Sequence, residues 1–392
     1  MSETLNALLA ALADESRAVR VLDLAEISDL ARSEVATFRA SWDGLSSARR
    51  LELMRAMVEQ AEANIHLNFH VVLRACLADD DPQIRVLAIE GLWEDEKIGL
   101  VRPLIELLSE DPAVEVRAAA ATSLGRFVLL GVLGEIADAH AQEIEVALRA
   151  AWERFAEPVA VRRRALESLA YSSSSALQEM IHSAYYDEDE LMRQSAVFAM
   201  GRSADARWAR IVLTELHNHQ PAMRFESAIA AGEMGLRAAV QPLIGRLDDP
   251  DAGVRQAAAT ALGKIGGPAA RRALLALLGG GDEALAQAAE DALDELAFGS
   301  QHLDAGLTEE DGKPLRQRRG GGEEEEDELF DLDDDAFTDE RALFGDADDE
   351  FTDLFDDEVF DGEDDFGPED EDDEFAEDEE GWSDEDDDLD WR

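Results

Sequence analysis

The stretch Asp251-Ala252-Gly253-Val254-Arg255-Gln256-Ala257-Ala258-Ala259-Thr260-Ala261-Leu262-Gly263 decides the fold, because its pattern returns along the chain at a fixed spacing. Arg193, Arg224 and Arg255 are 31 residues apart, Ala286 holds the next place, and Arg85, Arg117 and Arg162 anchor earlier copies. The residue before each anchor is apolar: Ile84, Val116, Val161, Met192, Met223, Val254, Leu285. Three places on it is small, from Ala88 and Ala120 to Ala258 and Ala289, and seven on it is mostly Leu or Met. A period of this length is the signature of a solenoid, in which each unit buries its apolar face only against its neighbours. The pattern predicts an all-α solenoid of seven or eight helix pairs.

Each unit reads as two helices. Leu104, Leu107 and Leu108 mark a first helix, Glu110-Asp111-Pro112 a turn, and Val114 to Gly125 a second helix; Val240 to Leu247, Asp248-Asp249-Pro250 and Val254 to Gly263 repeat the layout. Asp and Pro before the second helix are expected to start it, since Asp accepts from free N–H groups and Pro has none to leave unsatisfied. Gly125, Gly201 and Gly263, eight places past the anchor, are expected to close it. One spacing is irregular: Arg117 to Arg162 is 45 residues, and the 14 extra residues fall in Phe127 to Ala141, either as a lengthened helix pair or as an elaborated binding edge. Residues 1–45, with the stripe Leu5, Leu8, Leu9 and Leu12, are expected to cap the array, with repeats over 46–298, a linker over 299–322 and a separate tail over 323–392.

Charge separates the tail from the rest. The chain carries −56 overall, and residues 320–392 hold 40 acids and 2 bases, leaving −18 for residues 1–319. Like charge at that density dilutes the apolar residues too far to offset the entropy of ordering, so the tail is expected to be disordered. Phe330, Phe337, Phe344 and Phe351 recur every seven residues within it, followed by Phe355, Phe360, Phe366, Phe375, Trp382 and Trp391. Rings embedded in acid suit basic, partly apolar protein surfaces, with charge steering the encounter and rings anchoring it. The same charge argues against direct nucleic-acid binding, which draws its affinity from Lys and Arg displacing counterions. Cys76 is the sole cysteine, so no internal disulfide forms and a reducing compartment is expected. Residues 1–20 lack a signal-peptide pattern, and the longest apolar run, Phe127 to Leu133, is too short for a membrane span. The expectation is a soluble cytoplasmic protein.

The core Asp111-Pro112-Ala113-Val114-Glu115-Val116-Arg117-Ala118-Ala119-Ala120-Ala121-Thr122-Ser123-Leu124-Gly125, and its copy over 251–263, resembles the short HEAT-like repeat of the bilin-lyase (PBS-lyase) type. The resemblance covers about residues 46–298 and implies a fold more than an activity, because such arrays serve scaffolds, lyases, hydroxylases and glycosylases.

Three readings of function follow. The first is a non-enzymatic scaffold or chaperone-like adaptor whose concave face holds one protein and whose tail captures a basic one. The resemblance keeps a chromophore lyase as the second. In the third, the tail masks its own solenoid. The anchor arginines are expected to pair with turn acids of their own or a neighbouring repeat. For the concave face, the places two, six and nine past the anchor share one helix surface. The ninth reads Glu94, Arg126, Tyr171, Arg202, Glu233, Lys264 over small residues at the sixth, as if leaving room for an extended chain. Arg126, Arg164, Tyr171, Arg202 and Lys264 are therefore the candidate partner-binding residues there. No catalytic, metal or cofactor site is expected. None of the seven histidines precedes Glu, His66 and His70 lack a third ligand, His217 and His219 sit in a turn, and Asp365-Phe366-Gly367 has no phosphate loop to accompany it.

Overall fold

The computed structural model describes residues 2–28, 30–172 and 174–306; the tail aromatics Phe330 to Trp391 and Asp365-Phe366-Gly367 lie outside them. Among the described residues the structure is all helix, with no strand. A front section comprises α1 (Ser2–Ala13), α2 (Val21–Ala25), α3 (Val35–Trp42) and α4 (Ser47–Ala63). Seven consecutive pairs follow: α5 (His70–Cys76) with α6 (Pro82–Gly91), α7 (Val101–Glu110) with α8 (Val114–Val132), α9 (Asp138–Glu153) with α10 (Val159–Leu169), and α11 (Ala176–Tyr185) with α12 (Glu190–Ser203). Next come α13 (Ala209–Glu215) with α14 (Pro221–Glu233), α15 (Val240–Arg246) with α16 (Ala252–Ile265), and α17 (Pro268–Leu277) with α18 (Glu283–Gly306). Each second helix, from α4 to α18, packs on the second helix of the next pair. This is an α-solenoid.

The apolar columns are its core. Val116, Ala120 and Leu124 on α8 and Val254, Ala258 and Leu262 on α16 are buried, as are the equivalent Val161, Ala165 and Leu169 and Met192, Ala196 and Met200. Each Val or Leu so buried contributes roughly 1.5–3 kcal/mol. Where the column carries Ser227, the hydroxyl donates to the Met223 carbonyl oxygen at 2.8 Å, so no polar atom is stranded. The front stripe Leu5, Leu8, Leu9 and Leu12 is buried as well. The irregular spacing is taken up by length: α8 has 19 residues and α9 has 16, against 10 in α6 and α7, so the surplus forms a longer helix pair.

The glycines eight past the anchor do something other than close helices. Gly125, Gly201 and Gly263 lie inside α8, α12 and α16, and none has positive φ. A Cβ on Gly201 would stand 2.6 Å from the Ala230 Cα, one on Gly232 2.9 Å from the Ala261 Cα, and one on Gly263 2.7 Å from the Ala292 Cβ. Gly125 meets Ser168 in the same way. Each bare glycine backbone is seated on the small residue six past the next anchor. Ala199, Ala230 and Ala261 are accordingly buried. The sixth column is thus helix-to-helix contact, and the room expected above it for an extended chain is filled by the neighbouring helix. Left-handed closure falls elsewhere, at Ala204 after α12, and positive φ after α14 and α16 falls on Gly235 and Gly266.

The turns carry a polar ladder. The anchor guanidinium reaches back to the carbonyl oxygen six places earlier: Arg85 to Asp79 at 2.6 Å, Arg117 to Asp111 at 2.7 Å, Arg193 to Asp187 at 2.7 Å, Arg224 to Asn218 and Arg255 to Asp249 both at 2.9 Å. Its other nitrogens reach forward to an acid of the next turn, pairing Arg85 with Asp111 at 2.7 Å, Arg117 with Glu157 at 2.7 Å, Arg224 with Asp249 at 2.7 Å and Arg255 with Asp282 at 2.8 Å. Arg50 on α4 serves Asp79 likewise at 2.7 Å. The receiving side chain also accepts the backbone N–H two places on, as Asp111 does from Ala113 and Asp249 from Asp251. Asp111 and Asp249 therefore brace the turn; they do not cap the helix, which begins after Ala113 and Asp251. Asp81 and Asp189 do cap, accepting from Gln83 and from Leu191 and Met192. Pro82, Pro221 and Pro268 take the first helical turn.

Burial alone would raise the Asp249 carboxyl, but hydrogen bonds from Arg224 and the Asp251 N–H, with the charges of Arg224 and Arg246, hold it below its ordinary 3.8. A carboxyl depressed by folding contributes stability that is complete above that value and is lost as pH falls through the folded value. Asp249→Ala strands the buried Arg224 and is expected to cost about 3 kcal/mol in urea unfolding at pH 7. The gap to wild type should narrow below pH 4. Gly201→Ala is expected to cost roughly 1–3 kcal/mol by forcing α12 from α14. Gly245→Ala, whose Cβ meets nothing within 4 Å, is the control that should not destabilise.

Candidate functional site

The candidate surface is carried by the second helices α8 to α16. Here the ninth column becomes one connected row. The Arg202 guanidinium lies 5.6 Å from the Tyr171 ring centroid and 5.5 Å from that of Phe198, and donates to Glu233 at 3.0 Å. Glu233 also accepts from Lys264. Tyr171, Arg202 and Lys264 are thereby brought together across the pairs from α10 to α16, with Glu233 as the acid between the two cations. Shared in this way, the two cations leave the row one net positive charge.

Arg126 is placed differently. It donates to the carbonyl oxygens of Trp93 and Asp95 at 3.0 and 3.3 Å, closing the end of the preceding second helix, and lies over the Phe127 ring at 4.8 Å. Burial pushes its guanidinium down to about 10, against the opposing charges of Asp95 and Glu96. Arg164 belongs to another group, donating to Glu167 at 2.5 Å.

That group was not apparent from residue types. Glu167 on α10 accepts from Arg163 at 3.3 Å and from the Ser195 hydroxyl of α12 at 2.5 Å, while Arg163 also donates to the Ser195 oxygen at 3.0 Å. Glu226 on α14 completes it. Burial pushes the Glu226 carboxyl up to about 7 and the charge of Glu167 adds to this, with Arg163 and Arg164 opposing. Arg164, Ser195 and Glu226 each lie two past their anchors, so the one available signal was a polar run in an otherwise small or apolar column.

Among the described residues no group of three or more His, Cys, Asp and Glu side chains is arranged to hold a metal ion. His70 stands 3.8 Å from Asp95, and burial holds its imidazole below its ordinary value. Cys76 is buried, and that burial raises its thiol far above the usual range. No helix among the described residues is long and apolar enough to cross a membrane.

Residues 209–294 match the HEAT repeats family and residues 100–130 match the HEAT repeat. No curated protein matches the sequence. Among solved structures, human deoxyhypusine hydroxylase is similar at 18% identity over 68% of this chain and 97% of its own, with a TM-score of 0.31. YibA of E. coli is similar at 17% identity over 62% of this chain and 96% of its own, at 0.38. A chain of the Kap95:Nup1 complex is similar at 12% identity over 77% of this chain and 47% of its own, at 0.42.

A carboxyl that folding raises contributes stability at low pH and loses it as pH climbs through the folded value. Glu226→Gln removes the ionisation. Its melting temperature is expected to exceed wild type by an amount that grows from the ordinary value of 4.5 to about 7 and then levels off, read by thermal scans across that range.

Proposed function

We propose that the chain is a non-enzymatic protein-interaction scaffold, in which the second-helix face holds one protein and the acidic, aromatic segment beyond residue 306 captures a basic one. The observation that carries this reading is the row Tyr171, Arg202, Glu233 and Lys264. It offers rings and charges at a fixed spacing on rigid helices, the arrangement that lets a surface select a partner without reorganising. Arg164, with Glu167, and Arg126, with the Trp93 and Asp95 carbonyl oxygens, are further cations of the same helices that a partner could meet. HEAT repeats in residues 100–130 and 209–294 support a binding role in kind. Partner chemistry follows from charge: −38 over residues 320–392 favours basic proteins in a common, reducing, aqueous compartment.

The test is affinity capture from a lysate of the source cells, with full-length protein and two full-length variants washed across a salt series. One variant carries Ser at Phe330, Phe337, Phe344 and Phe351, the other Arg202→Glu with Lys264→Glu. Basic proteins held by wild type, lost from the Ser variant and released as salt screens the charge are the expected result. The charge-reversed variant should lose a different set. Identical sets from all three proteins would sink both halves of the proposal.

A further inference from the structure

The turn that joins the two helices of each pair has a residue seven places before the anchor, and in three consecutive pairs it carries a ring: Phe155, Tyr186 and His217. They keep the 31-residue register, with Asp248 next. Phe155 is 97% exposed and Tyr186 68%, and His217 is exposed too. Since α10 packs on α12 and α12 on α14, equivalent turn positions lie roughly 8–10 Å apart, the separation of packed helices. A row of open rings this size is not needed by the core, where the apolar columns are already closed.

The ladder fails at the same place. Asp79, Asp111 and Asp249 each receive the guanidinium of the preceding pair, but Asp187, next to Tyr186, does not. Arg162, which should supply it, donates to the Trp152 carbonyl oxygen at 3.1 Å and lies 5.0 Å from the Trp152 ring centroid. Asp187 keeps its turn bond from the Asp189 N–H at 2.9 Å and has no cation partner among the described residues. Glu188 and Glu190 are exposed beside it, and Glu190 accepts from Gln220. Arg154, the exposed cation of these turns, is held by Glu157 at 3.0 Å.

We infer that the turn edge from Phe155 to His217 is a docking surface for an arginine-bearing extended segment of a partner protein, with one guanidinium taking the place at Asp187 that Arg162 leaves open. The chemistry is complementary twice over: carboxylates meet the charge, and ring faces attract a cation lying over them. The geometry also selects a conformation. A polyproline II segment rises about 3.1 Å per residue with three residues per turn, so every third side chain falls on one face about 9 Å apart, close to the spacing of the rings. The proposal rests on the protein-binding reading and adds a surface separate from both the second-helix row and the acidic segment.

The probe is the peptide (Arg-Pro-Pro)4, labelled with fluorescein and a benzophenone, on the full chain at physiological ionic strength, with (Glu-Pro-Pro)4 as the opposite charge. Cross-links located by mass spectrometry are expected in residues 153–158, 185–191 and 217–220. Phe155→Ala with Tyr186→Ala is expected to remove them and weaken binding about fivefold, and Asp187→Asn roughly threefold. Circular dichroism should match wild type, since Phe155 and Tyr186 are exposed and Tyr186 meets the Tyr185 and His182 rings at the surface. No binding, equal affinity in all variants, or cross-links only beyond residue 306 would overturn the inference. In the last case the lysate capture still decides the scaffold reading by itself.

Discussion

Close approach between successive second helices is the constraint from which the rest of the array follows. With Gly201 against Ala230, Gly232 against Ala261 and Gly263 against Ala292, backbone meets backbone without an intervening side chain. That proximity aligns the apolar columns so that each helix closes its neighbour's core. It also brings each turn within a guanidinium's reach of the next. The ladder of Arg85 to Asp111 and Arg224 to Asp249 is therefore a consequence of spacing as much as a cause of order. The ion pairs add specificity of register, a role that buried pairs fill better than that of raw stabiliser.

The outer surface inherits its order from the same spacing. A residue at a given place in one pair lies beside its counterpart in the next, so a column of the sequence becomes a row on the protein. Arg202, Glu233 and Lys264 form a continuous chain of charge for that reason, and the polar places Arg164, Ser195 and Glu226 gather around Glu167, where burial and the Glu167 charge push the Glu226 carboxyl up to about 7. Function in such an array is written along columns, and a change at one place is felt mainly by two neighbours.

Much of this was legible from residue types. Burial follows chemistry directly, so Val254, Ala258 and Leu262 announce their column, and a charged residue fixed among them, Arg255, announces a partner in a turn. Gly263 was read as a helix end, because a left-handed close and a bare contact surface ask for the same residue; only the position of Ala292 decides between them. Small residues at Ala199 and Ala230 posed the same ambiguity between open groove and tight seat, resolved by the neighbour's backbone. The candidates Tyr171, Arg202 and Lys264 were visible as a column, but the acid that ties two of them together was legible only as one more member of it. Arg126 shows the limit plainly: its charge suggested a ligand, while its hydrogen bonds go to two backbone carbonyls. The tail aromatics fall outside the described residues.

The interface between α10 and α12 combines two departures from the repeat. The place where Gly125, Gly201 and Gly263 stand is Ala170 here, and Arg162 turns away from the following acid. What crosses it instead is a serine hydroxyl shared by Glu167 and Arg163 and the stacking of Arg202 on Tyr171. A linear array behaves as a chain of nearest-neighbour couplings, and cooperativity passes along it only as well as its poorest joint allows. The contact of Arg202 with Tyr171 crosses this joint, so a partner gripping that row would hold its two sides together.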